Sequence, residues 1–70
     1  MKVSLRKRKM QSGRTSLYLD IYNQGKREYE YLELFLVVPK TSDDRKQNKE
    51  NLAMAEAMRG KRQLEIQKGI

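Results

Sequence analysis

Ser4, Arg6 and Arg8 stand two residues apart, as do Ser16 and Tyr18, and again Tyr29 and Tyr31. In extended chain that spacing puts the members of each set on one face. The chemistry these side chains share is recognition of a phosphate-bearing polymer. An arginine fork matches a phosphate or the N7/O6 edge of guanine, a hydroxyl reaches a phosphate oxygen, and tyrosine adds flat apolar area. Arg14, Lys26 and Arg27 flank the same sets. Asp20 and Glu33 fall on that face too; they could orient neighbouring arginines, accept from cytosine N4, or mark an ordinary solvated surface. Cross-strand tyrosines also stabilise plain sheets. The pattern therefore admits both a nucleic-acid surface and a bland one.

Catalysis has little to stand on. The chain contains neither cysteine nor histidine, which removes thiolate nucleophiles, the usual general base near neutral pH and the commonest metal ligands. Asp43, Asp44, Glu50 and Glu56 fit helix caps and salt bridges between neighbouring turns. Gly13, Gly25, Gly60 and Gly69 are isolated, so no glycine-rich phosphate loop is present in the sequence. No catalytic residue, metal site or cofactor is expected, and no small-molecule substrate.

Charge narrows the partner. The formal net charge is +7, and Lys2, Arg6, Lys7, Arg8, Lys9 and Arg14 all precede the first acid, Asp20. A polyanion is favoured, because each phosphate neutralised releases counterions. A solvated basic terminus is the plainer explanation of the same run. The longest apolar stretch, Leu34 to Val38, is far too short to span a bilayer. The basic N-terminus lacks the apolar run of a signal peptide. The chain reads as soluble and intracellular, with no membrane partner.

The elements that must position these residues follow from periodicity. Thr15 to Tyr22 alternates apolar and polar residues, the mark of a strand buried on one side. Leu17, Leu19 and Ile21 point one way, and Ser16, Tyr18, Asp20 and Tyr22 the other. A preceding strand spans roughly Val3 to Lys9. A three-residue loop, Gln11-Ser12-Gly13, with Gly13 left-handed and a bulge, pairs Val3 with Ile21, Leu5 with Leu19 and Lys7 with Leu17. The other face then carries Ser4 with Asp20, Arg6 with Tyr18 and Arg8 with Ser16. A second turn, Asn23-Gln24-Gly25-Lys26, pairs Tyr22 with Arg27, Asp20 with Tyr29, Tyr18 with Tyr31 and Leu17 with Leu32. Both turns agree on which face is core. The third strand runs from about Arg27 to Leu36, with Leu32 and Leu34 inward and Glu28 and Glu30 on that side beyond the helix, in water. Tyr29, Tyr31, Glu33 and Phe35 take the open face.

Proline at position 39 ends the strand. Thr41-Ser42-Asp43-Asp44 then starts a helix, with a hydroxyl cap and acids in the first turn. Leu52, Ala55 and Met58 form its expected buried stripe, with Asn48 and Arg59 at the margins. Past Gly60 the helical pattern continues with little to bury, as in a linker to further domains. The fold class is α+β: a three-stranded antiparallel sheet with one C-terminal helix on one face. A 70-residue chain buries only about 60% of its unfolded surface, so the core must be small.

Three stretches taken together are similar to a known family: Val3-Ser4-Leu5-Arg6-Lys7-Arg8-Lys9, then Gly13 to Tyr22, then Lys40-Thr41 followed by Asn48-Lys49-Glu50. They resemble the arm-type DNA-binding domain at the N-terminus of tyrosine recombinases (integrases) of conjugative transposons and prophages. The resemblance covers nearly the whole chain. It implies residues 1–60 as the arm-type domain and 61–70 as a helical linker toward core-binding and catalytic domains outside this sequence. It also implies that the open face enters the major groove of double-stranded DNA at arm-type sites, in a bacterial cytoplasmic, nucleoid-associated protein. None of the tyrosines here is then the recombinase nucleophile. Arg6, Arg8, Arg14, Ser16 and Tyr18 are supported as contacts by the family pattern, whereas Ser4, Lys26, Arg27, Tyr29 and Tyr31 rest on the register. Two other readings stay open: a module that docks neighbouring recombinase subunits, and a ribosomal-type RNA-binding domain.

Overall fold

The computed structural model describes residues 2–68. Strands β1 (Lys2–Lys9), β2 (Thr15–Asn23) and β3 (Lys26–Leu36) form one antiparallel sheet in the order β1-β2-β3, followed by helix α1 (Ser42–Gln67). The expected α+β architecture is the one observed.

The first turn sets the faces. The Gly13 N–H donates to the Met10 carbonyl at 3.1 Å and the Met10 N–H to the Arg14 carbonyl at 2.8 Å, with Gly13 at φ +91°. That is a tight turn closed by a left-handed glycine bulge, and it pairs Val3 with Ile21, Leu5 with Leu19 and Lys7 with Leu17. In the second turn both central residues, Gln24 and Gly25, have positive φ. Their backbone twist matches that of the strands, and Tyr22 faces Arg27, Asp20 faces Tyr29 and Tyr18 faces Tyr31.

Beyond Tyr18 the register departs from expectation. Leu17 faces Leu34 rather than Leu32, because β3 carries an irregularity at Leu32-Glu33, neither of which has a partner on β2. Glu33 takes φ +57° to make it. The insertion is two residues long, so parity survives: Leu34 still pairs on the core face and Phe35 still faces Ser16 on the other.

The core is small. Val3, Leu17, Leu19 and Ala55 are its buried apolar side chains among the described residues. Ala55 lets the helix backbone approach the sheet closely. Met58 is not part of the stripe: it is 43% exposed, and Arg59 takes the inward position one turn after Ala55. The helix starts as expected, with Thr41 Oγ1 accepting from the Asp44 N–H at 3.2 Å and the Asp44 carboxylate accepting from the Lys40 N–H.

Much of the docking is polar. Asn48 Oδ1 accepts from the Val37 N–H at 2.9 Å and its amide donates to the Val37 carbonyl at 2.8 Å. The Asn51 amide donates to the Phe35 carbonyl. At the opposite corner Gln63 Oε1 accepts from the Val3 N–H at 2.9 Å, and Arg59 donates to the Val3 carbonyl. The helix thus crosses the sheet and occupies unpaired backbone groups along both outer strands, groups that would otherwise template pairing with another chain. Glu30 is not free in water: its carboxylate accepts from Arg62 at 2.6 Å, and this hydrogen bond, more than the charge beside it, raises the Arg62 pKa. Sheet contacts therefore continue past Gly60. Among the described residues no helix is long and apolar enough to cross a membrane.

Candidate nucleic-acid interface

The sheet face turned away from α1 is built from alternate positions of all three strands. From β1 come Ser4, Arg6 and Arg8; from β2 Ser16, Tyr18, Asp20 and Tyr22; from β3 Arg27, Tyr29, Tyr31, Glu33 and Phe35. Strand alternation is what gathers them, since their odd- or even-numbered neighbours are committed to the helix side.

Three tyrosines meet at its centre. The Tyr18 ring lies 5.8 Å from Tyr29, edge to face, and 5.3 Å from Tyr31, tilted. Such pairs hold one another in fixed orientations. Tyr18 is half-buried between the other two, which leaves Tyr29 and Tyr31 more than half exposed. Arg8 donates to the Tyr31 hydroxyl at 3.5 Å, at the limit of a hydrogen bond.

The arginines are held from below. Asp20 lies on the central strand, and Arg6 Nε stands 3.5 Å from its Oδ2 while Arg27 Nε stands 3.4 Å from its Oδ1. Arg27 also lies over the Tyr22 ring, 5.5 Å from its centroid, and Arg14 lies over Phe35 at 4.6 Å. Each such stacking restricts a long side chain without neutralising its charge.

Not every expected contact residue joins this surface. Ser16 sits at the floor, only 8% exposed, in a hollow of about 650 Å³ walled by Arg8, Met10, Tyr31, Glu33 and Phe35. Lys26 pairs with Asn23, one step out of phase with Arg27, and lines a hollow on the helix side with Ile21, Glu30 and Arg62. Ser4, Arg6, Arg8, Arg14, Tyr18, Arg27, Tyr29 and Tyr31 are brought together on or beside the open face; Lys26 is not. Tyr22 and Phe35 join it through their arginine contacts. Parity marked both as outward, but nothing in the sequence showed that cations would stack on them.

Arginine forks and exposed aromatic rings on a helix-free face form a surface for a polyanion with accessible bases or backbone. Comparison with known proteins agrees. A family model described as the Arm DNA-binding domain matches residues 3–69. No curated protein and no solved structure matches the chain. With the match spanning nearly its full length, the chain belongs to the arm DNA-binding domain family.

Proposed function

We propose that this chain is the arm-site-binding module of a site-specific tyrosine recombinase, and that the open face of its sheet enters the major groove of double-stranded DNA. The observation that carries this reading is the clustering of Arg6, Arg8, Arg14 and Arg27 with Tyr18, Tyr29 and Tyr31 on the one face the helix leaves bare. Strand spacing supports the groove assignment. Outer strands of a three-stranded sheet lie about 10 Å apart, within a major groove about 12 Å wide. Exposed arginines would take guanine edges and phosphates, and the tyrosine hydroxyls phosphate oxygens. Catalysis would belong to a separate domain of the parent recombinase. Binding at arm sites would then bridge distant DNA segments and bias recombination between integration and excision.

The test is selection from a randomised duplex library by residues 1–70, followed by a chemical-shift titration with the selected duplex. Arg6, Arg8, Tyr18, Tyr29 and Tyr31 should move, Lys26 and the outer face of α1 should not, and log affinity should fall steeply with log salt. No enrichment, or tighter binding to A-form RNA of the same length, would reject the reading.

A further inference from the structure

We propose that Asp20 is a positioning residue for DNA recognition: it holds Arg6 and Arg27, one from each outer strand, in a diagonal clasp across the sheet. This rests on the open face being the DNA-binding face. Register fixes the diagonal. Asp20 faces Ser4 on β1 and Tyr29 on β3; Arg6 is two residues beyond Ser4 and Arg27 two residues before Tyr29. Both are therefore diagonal neighbours of Asp20 on the same face, at a separation long side chains span. Each turns its Nε toward a different carboxylate oxygen, at 3.5 and 3.4 Å. Both arginine side chains remain more than half exposed, while the Asp20 side chain is about nine-tenths buried. A contact made through Nε engages the near edge of each fork, so that the terminal nitrogens would be the part offered to DNA.

An acid on a surface built for phosphate needs a reason. A solvated carboxylate there would only repel the backbone. Asp20 is not solvated: its Oδ1 is buried and has no hydrogen-bond partner among the described residues, although Arg27 stands beside it. A buried acceptor left unmatched is costly, and tightening of the Arg27 contact when DNA fixes that side chain would satisfy it. Arginine orientation in the free protein would lessen the entropy lost on binding.

The two readings of Asp20 differ in sign, which makes them separable. Removing an acid from a DNA-facing surface raises the net charge and should tighten binding to any duplex. Removing a positioning residue should instead degrade discrimination. The experiment compares the wild-type chain, D20N and D20E on the duplex selected from the randomised library and on a random-sequence duplex of equal length. The arginine Nε–Hε signals are recorded in parallel. Expected for D20N is unchanged or tighter binding to the random duplex and about a tenfold loss on the selected one. The Arg6 and Arg27 signals should shift to the positions of free arginine, and D20E should recover part of the discrimination. Equal tightening on both duplexes with unmoved arginine signals would overturn the proposal. Should D20N not fold, the wild-type signals decide: Nε–Hε hydrogens exchanging as fast as those of free arginine would overturn it equally. A wild-type chain that enriches no duplex would refute the DNA-face reading, while the arginine signals would still report on the clasp.

Discussion

Asn48 holds both backbone groups of Val37, accepting from its N–H at 2.9 Å and donating to its carbonyl at 2.8 Å. One amide side chain thus stands in for the strand that β3 lacks on its outer side just past Leu36. Alanine at position 48 would leave both groups to partial solvation and should cost about 2 kcal/mol. Aspartate keeps the acceptor but loses the donor, and should fall between. Urea denaturation of the three proteins checks the order. Equal midpoints would mean that water replaces the amide at no cost.

Leu19 is buried against α1 while Tyr31, next to Leu19's partner Glu30 on the neighbouring strand, is exposed on the other side. Leu19→Ala should cost about 2–5 kcal/mol, since so small a core has few side chains to fill the void. Tyr31→Ala should cost about 1 kcal/mol, the worth of its contact with Tyr18. Thermal melts of both variants read the difference. Similar losses for the two would contradict the assignment of faces.

Gln24 takes φ +52° in the second turn, a conformation that suits asparagine or glycine far better. Gln24→Asn should therefore stabilise the domain by about 0.5–1 kcal/mol, seen as a raised denaturation midpoint. The same substitution should leave duplex affinity unchanged, because the hairpin tip lies at the end of the sheet and the backbone shape is retained. A lower midpoint would show that the left-handed backbone at this position is not intrinsically strained.

Parity was legible in the sequence because strand side chains repeat every two residues and both turns have glycine where a left-handed residue is required. Leu17, Leu19, Arg6 and Tyr18 fell on their observed faces for that reason. The irregularity at Leu32-Glu33 was not legible. Positive φ is ordinarily announced by glycine, asparagine or aspartate, and here it is adopted by a glutamate. Helix docking was also hidden: Asn48, Asn51, Arg59 and Gln63 are polar, and a hydropathy pattern does not show that their partners are backbone groups of the sheet edges. The pairing of Glu30 with Arg62 joins residues far apart in sequence, and only the crossing of the helix over β3 brings them together. As for the site, the sheet register was enough to group the arginines and tyrosines, but not to show Lys26 turning the other way.

Lys26 and Arg27 are adjacent, equally basic and on opposite faces of the hairpin, which makes them a matched pair for locating the DNA. Alanine at either position removes one positive charge, so any effect of net charge alone is common to both. Arg27 shares its face with Arg6 and the tyrosines, and Lys26 shares its own with Glu30 and Arg62. Arg27→Ala should weaken binding to the selected duplex by about 1–3 kcal/mol if it reads a base. It should lower the salt slope by roughly one and weaken all sequences alike if it contacts a phosphate. Lys26→Ala should change affinity by less than about 0.5 kcal/mol, the size of a screened, distant charge. Fluorescence anisotropy across a salt series measures both quantities. Equal losses for the two variants would mean that DNA wraps the hairpin tip rather than lying on the open face.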